Sequence, residues 1–372
     1  MRKKLALSII SLEECFPQKG FSGGGHKVTK KLIEGLVDSK LFDIDIFCKK
    51  GVGTVEMSPE RVECIKSVNI LNKKTFKEDF QRRLKGQDYD YVLSSDILLP
   101  FANNIIHSHS SKFKSKNGRS KFNQLLAKAF YVKKIKVQEQ NIAKDRATFT
   151  VSERLKKDFV ENFNLDESKV FACHPALDSQ TKFIAPSFNS EFTIGSIVGG
   201  GLNKGGHLLL LALKKIPQDC KVKARVIFPK MHKSFLFKSA VKALKLEDKV
   251  EILPKQADME AYYKSIDCYV LPSLNEAFGL VVTEAASNSK PSIVSSTTGV
   301  RELISDDVNG FVFDREKSPV KNLAQQLNKA QDMYFNNQEK YTQVAKNAHE
   351  LSMKLDWKKF TDTVINNMIS ER

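Results

Sequence analysis

Glu276 and Glu284 are separated by seven residues, and Phe278-Gly279-Leu280 lies between them. Just ahead, the apolar run Asp267 to Leu271 is broken by Pro272-Ser273, as a buried strand ending in a loop would be. Phe278 to Asn288 suits a helix, and Pro291 to Ser295 suits the next strand. A strand, a tight loop and a helix start make an anion site. The first N–H groups of a helix lack intrahelical acceptors, and its dipole favours negative charge. Phe278, Gly279 and Leu280 would present those amides, and Gly279 would let a phosphate come close to the backbone. Carboxylates repel phosphates, so the two glutamates must serve something else. Eight residues of helix span ~12 Å, roughly the reach from a sugar ring across a diphosphate to a ribose. The pair makes sense if the ligand is anionic in the middle and carries hydroxyls at both ends. A solvated helix with two idle glutamates is the plain alternative for the pair alone.

Two glycine loops supply further candidates. Lys4 to Ile10 reads as a strand, followed by Gly20, Gly23, Gly24 and Gly25 and a helix from His26 to Val37. Phe192 to Val198 reads as another strand, followed by three glycines, Lys204, Gly205 and Gly206, and a helix from His207 to Ile216. Both have the grammar of a phosphate cradle, and Lys204 would add a cation. The first is neither GxGxxG with an acidic residue at the expected distance nor a loop ending in GK[ST], so a nicotinamide or ATP site there is disfavoured. Strands at Val222 to Phe228 and Val250 to Leu253 continue the alternation of strand and helix that builds a parallel sheet.

Other patterns are weaker. Asp43 and Asp45 alternate with apolar residues, and Asp88 and Asp90 open a strand, whereas ligands of open α/β sheets gather at the carboxyl ends. Neither triplet reads as a metal site. His107 and His109, at the end of Asn103 to Ser111, would share one face if the strand ran through them. The six cysteines include no CxxC pair, which disfavours metal or disulfide use and fits a reducing cytosol.

At 372 residues the chain suits two domains, and its 41% hydrophobic content fits a soluble protein. The start, MRKKLALSIISLEE, imitates a signal peptide but is better read as a first strand, since Ser8 interrupts a short apolar core and Glu13-Glu14 follow. The net charge is +17, and residues 1–187 hold 34 Lys and Arg against 22 Asp and Glu. Lys112 to Arg154 is the densest basic region, with aromatic and aliphatic residues interleaved. It suits a basic amphipathic helix on anionic lipid. A helix packed on its own sheet with a solvated basic face is the alternative. Nothing there resembles a nucleic-acid-binding signature.

Glu276, seven residues and Glu284, with AFGL between, Pro272-Ser273 before and Lys290-Pro291 after, together resemble the signature of the family-four retaining glycosyltransferases of the GT-B fold. Gly299, Glu302, Asn309 and Gly310 continue the match, and a weaker resemblance covers nearly the whole chain. It implies an α/β fold of two doubly wound Rossmann-like domains with parallel sheets facing across a cleft. Residues 1–180 would be the acceptor-side domain and 191–355 the donor-binding domain. Residues 356–372 would be a terminal helix returning to the first domain. The implied reaction is metal-independent and retaining: hexosyl transfer from a nucleotide diphosphate sugar, expected to be a UDP-sugar, with no cofactor. The acceptor would be a cell-envelope glycan or lipid-linked molecule of lipopolysaccharide, teichoic acid or polysaccharide type. The resemblance assigns His109 and Glu276 to the transferred sugar and Glu284 to the ribose. Gly23, Gly24, Lys204, Gly205 and the amides of Phe278, Gly279 and Leu280 would hold the donor. The family's Arg five or six residues ahead of the Lys is absent, Val198 and Gly199 standing there, and His174 and Ala176 replace its usual Asn and Gly. The expected location is cytoplasmic, with peripheral contact to the inner face of the membrane. Two other classes stay open: a GT-B nucleotide-sugar epimerase, and a non-catalytic partner that binds a glycan or polypeptide.

Overall fold

The computed structural model describes residues 2–16, 24–50, 59–95, 97–111, 121–178, 181–199, 202–217 and 220–370. Two compact units emerge, Met1–Pro175 with Asp356–Arg372, and Ala176–Leu355. In the first, β1 (Lys3–Ser11), β2 (Phe42–Lys50), β3 (Ile65–Ile70), β4 (Tyr91–Ser95), β5 (Asn103–Ile106), β6 (Thr148–Thr150) and β7 (Val170–Ala172) form one parallel sheet, ordered β3-β2-β1-β4-β5-β6-β7. The apolar run that imitates a signal peptide is its central strand. Leu5, Ala6, Leu7 and Ile9 are wholly buried, as expected of a parallel strand covered on both faces.

The second unit repeats the plan. β8 (Phe192–Ile197), β9 (Val222–Ile227), β10 (Val250–Leu253), β11 (Cys268–Leu271), β12 (Ser292–Ser295) and β13 (Phe311–Phe313) are ordered β10-β9-β8-β11-β12-β13. Its core joins Phe192, Ile194, Val226, Val270, Ile293 and Phe311 from the sheet to Leu209, Leu323 and Leu327 from the covering helices. In each sheet the winding reverses beside the first strand, between β1 and β4 and between β8 and β11. Loops at the carboxyl ends of such a pair diverge, and a crevice opens there.

Three of the four aspartates in the two DxD triplets have partners within the fold. Asp43 pairs with Arg2 and Lys66, Asp45 accepts from the Tyr89 hydroxyl at 2.8 Å, and Asp90 accepts from the Lys4 amide at 2.8 Å. Burial, then the Asp45 carboxylate, raises the Tyr89 phenol above its ordinary range. The polar stretch after residue 180 lies along the second unit. There the Ile184 amide donates to Ser289 Oγ at 2.9 Å and the Asn189 amide to the Tyr334 hydroxyl at 2.7 Å.

The final helix, Trp357–Ile369, is capped by Asp356, whose carboxylate accepts from the Lys358 amide. It packs in the first unit against the helix Gly24–Asp38. Contact is close enough that a Cβ on Gly35 would fall 2.3 Å from Thr361 Oγ1. A helix interior ordinarily gains ~1 kcal/mol when Gly becomes Ala. Here Gly35→Ala should instead lower stability by ~1–3 kcal/mol through overpacking, read as a lower urea midpoint; a raised midpoint would contradict the contact.

Candidate active site

The loops that follow β8 and β11 meet at the second switch point and are locked together. The Leu274 amide donates to the Asn203 carbonyl at 2.7 Å. Gly205 lies against Pro272, where a Cβ would sit 2.0 Å from the Pro272 carbonyl oxygen, and its φ of +69 is left-handed. Only glycine meets both conditions. This contact brings Lys204 Nζ to 2.6 Å from Glu276 Oε2, and Ser273 Oγ lies 3.4 Å from the same oxygen. Lys204 is 48% exposed and Glu276 23%. An ion pair so open to water is worth only ~0–1 kcal/mol, so either partner can exchange it for a ligand.

The helix of this segment is Leu280–Ser287, shorter than the expected Phe278 to Asn288. Gly279 is its N-cap with φ of 116, and a Cβ there would meet Leu271 and Val300 at 3.0 and 3.2 Å. Phe278 is buried, and its carbonyl accepts from the Val300 amide at 2.8 Å. That bond holds Phe278 outside the helix. Leu280 and Val281 therefore open the first turn, where N–H groups have no acceptor one turn back. Glu276 precedes the helix in an isolated bridge with Thr298, and its carbonyl accepts from the Gly299 amide at 2.9 Å.

Glu284, on the second turn, is half-buried and accepts from the Tyr263 hydroxyl at 3.0 Å. Burial first, then the Glu284 carboxylate, pushes the Tyr263 phenol well above its ordinary range, so it stays a donor. Nothing in the glutamate spacing pointed to Tyr263. Lys290, basic residue of the Lys290-Pro291 pair, is half-buried. Burial lowers its ammonium while the nearby Asp267 carboxylate raises it. Val198, in the place of the missing Arg, is a core residue, 1% exposed.

His109 belongs to the first unit. β5 ends at Ile106, so His107 and His109 lie in the loop beyond it, and the two-residue alternation of a strand does not extend to them. His109 is buried, and its Nδ1 is 2.9 Å from Asp158 Oδ2. Asp158 comes from the helix Glu153–Phe163, which follows the neighbouring strand β6 and starts at Ser152, whose Oγ accepts from the Leu155 amide. The same carboxylate accepts from the Ser110 amide at 2.9 Å, Ser110 Oγ at 2.6 Å and Asn162 Nδ2 at 3.0 Å. Sequence reasoning missed Asp158. The available signal was a carboxylate on the buried face of a helix that also buries Leu155 and Phe159. Gly24 opens the helix Gly24–Asp38 and is exposed, while Gly23 lies outside the described residues.

Residues 180–351, nearly the whole second unit, match the family described as glycosyl transferases group 1. The second unit is thus similar to the group 1 glycosyl transferases. An uncharacterised glycosyltransferase of Haemophilus influenzae is 33% identical over 116 residues, which are 31% of this chain and 31% of that protein. The chain thus matches about a third of that relative's length. Among solved structures, WaaG, a glycosyltransferase involved in lipopolysaccharide biosynthesis, superposes with a TM-score of 0.71 at 14% identity, covering 97% of this chain and 98% of WaaG. Anabaena Alr3699/HepE in complex with UDP-glucose gives 0.67 at 16% identity, with 99% of each chain covered. The two units, each built on one parallel sheet, thus follow the GT-B fold. In this chain the switch point of the second sheet holds Lys204, Gly205, Glu276, Gly279 and Leu280 together, with Glu284 farther along the same helix.

Two substitutions test these supports. Asp158→Ala would strand several buried donors at once and should cost ~2–4 kcal/mol, seen as a reduced urea midpoint; a wild-type midpoint would contradict the network. Tyr263→Phe removes the hydroxyl that holds Glu284 and should weaken UDP binding by ~3–10-fold, about the worth of one hydrogen bond to a charged group. Unchanged calorimetric affinity would separate Glu284 from the ligand.

Proposed function

We propose that the chain transfers a hexosyl group from a UDP-sugar, with retention and without a metal ion, to a cell-envelope acceptor. The acceptor is a glycan or lipid-linked molecule of lipopolysaccharide, teichoic acid or polysaccharide type, met at the cytoplasmic face of the membrane. One observation carries the reading: the locked loops set a lysine, a glutamate and a helix start on one rim of the second sheet. The UDP-glucose bound by the structurally similar HepE supports the choice of donor.

As the glycosidic bond breaks, negative charge grows on the departing UDP. Amides at Gly279 and Leu280, with Lys204, would stabilise it, and preorganised donors of this kind often contribute more to the rate than any other device in an enzyme. Lys204 would leave Glu276 for the diphosphate. Glu276, released, would accept from hydroxyls of the transferred sugar, while Glu284, held by Tyr263, would accept from the ribose. His109, oriented by Asp158, is assigned to the sugar. Gly23 and Gly24 are assigned to the donor or acceptor side of the first glycine loop. Retention would follow from attack on the face that the leaving group vacates.

The basic region Lys112–Arg154 is proposed to meet anionic lipid. Its described part includes the helix Lys121–Asn141, on which Tyr131, Ile135 and Gln138 turn inward while Lys133, Lys134 and Lys136 are exposed with Val132 and Val137. The lipid contact would therefore be made by the outer, basic face.

A UDP-sugar should raise the unfolding temperature, because a ligand of the folded state stabilises it. Glu284→Ala should weaken UDP binding by ~10-fold or more, and Glu276→Ala should lower turnover by ~100-fold with a smaller loss of UDP affinity. Calorimetry with UDP, and NMR of the anomer released on donor hydrolysis, read the two effects. Trivial effects of both substitutions would refute the assignment, and an epimerised free donor would replace transfer with isomerisation.

A further inference from the structure

The helix Phe235–Ala243 follows β9, the neighbour of β8, and so begins at the same carboxyl edge of the second sheet as the Lys204 loop. Its first two residues are the most exposed large apolar side chains among the described residues, Phe235 at 74% and Leu236 at 79%. They are not misplaced core. Phe237 turns inward, its ring 5.7 Å from that of Phe228, and Val241 is buried. Nor is the tip loosely held. Buried Ser234 donates through its amide and its Oγ to the Met231 carbonyl, at 3.0 and 2.7 Å, closing the turn that precedes the helix.

The charge along this segment has one sign. From Cys220 to Leu246 the chain holds eight Lys and Arg and no Asp or Glu. Lys230, Lys238, Lys242 and Lys245 are exposed. Lys238 and Lys242 stand three and seven residues beyond Phe235, hence on its face of the helix. An apolar tip on a helix whose exposed charged side chains are lysines complements anionic headgroups over acyl chains. It does not complement a second copy of a chain with a net charge of +17.

We propose that this tip docks the second unit on an anionic bilayer, with Phe235 and Leu236 entering the headgroup–acyl boundary and the lysines facing lipid phosphates. The docking is separate from the basic helix of the first unit and does not depend on glycosyl transfer. Because the tip and the Lys204–Glu276 pair share one edge of one sheet, it holds the candidate site beside the membrane.

The test uses the full chain with vesicles of phosphatidylcholine alone or with about 30 mol% phosphatidylglycerol. Leu236→Trp should shift its emission to the blue and be quenched by brominated lipid in the anionic vesicles only. The native Trp357, in the first unit, provides the baseline. Phe235→Ser with Leu236→Ser should reduce the bound fraction by ~10-fold or more, since two large apolar side chains no longer enter lipid, and should leave the unfolding midpoint unchanged. Lys133→Glu with Lys134→Glu should leave the quenching in place. The proposal is overturned if the serine variant binds as the native chain does, or if Leu236→Trp emission does not respond to vesicles. It is also overturned if phosphatidylcholine alone binds equally, or if the serine substitutions abolish self-association instead.

Discussion

Gly205 rests on the carbonyl of Pro272 with no room for a single carbon more. The rest of the site depends on that approach. It joins two loops separated by about seventy residues of sequence, and the Leu274–Asn203 hydrogen bond closes the same seam. Adjacent parallel strands set the loops side by side, but strand pairing alone leaves them free to splay. The glycine contact removes that freedom, so that Lys204 and the start of the Leu280–Ser287 helix are fixed before any ligand arrives. Sites preorganised in this way spend less binding energy on ordering.

Electrostatics divides the rim by function. Lys204 and Glu276 neutralise one another with the lysine half exposed, an arrangement weak enough to be exchanged. Glu284, half-buried as Glu276 is, differs in its partner, an uncharged phenol donor. A carboxylate withdrawn from water needs such a partner. One glutamate is therefore poised to change partners and the other to stay. The first unit uses the second strategy again in burying His109 against Asp158.

Much of this was legible in the sequence because it is local. The strand Val250–Leu253 has the bounds read from its apolar pattern, and the final helix Trp357–Ile369 falls within the expected 356–372. Alternating strands and helices implied parallel sheets, and both sheets are wholly parallel. Misreadings arose where a distant partner decides. Phe278 leaves the helix because the Val300 amide claims its carbonyl, which no pattern around Phe278 reveals. Asp158 lies 49 residues from His109, and Tyr263 lies 21 from Glu284. Topology brings each pair together, and only their burial on otherwise apolar surfaces hinted at a role. The exposed Phe235-Leu236 tip escaped for the opposite reason: in sequence it looks like core.

The affinity of Gly205→Ala for UDP, measured by titration calorimetry beside the native chain, tests the glycine seam most directly. In a variant that still unfolds cooperatively, a loss of ~10-fold or more is expected, because a displaced loop carries Lys204 away from the helix start. Native affinity in that folded variant would contradict it.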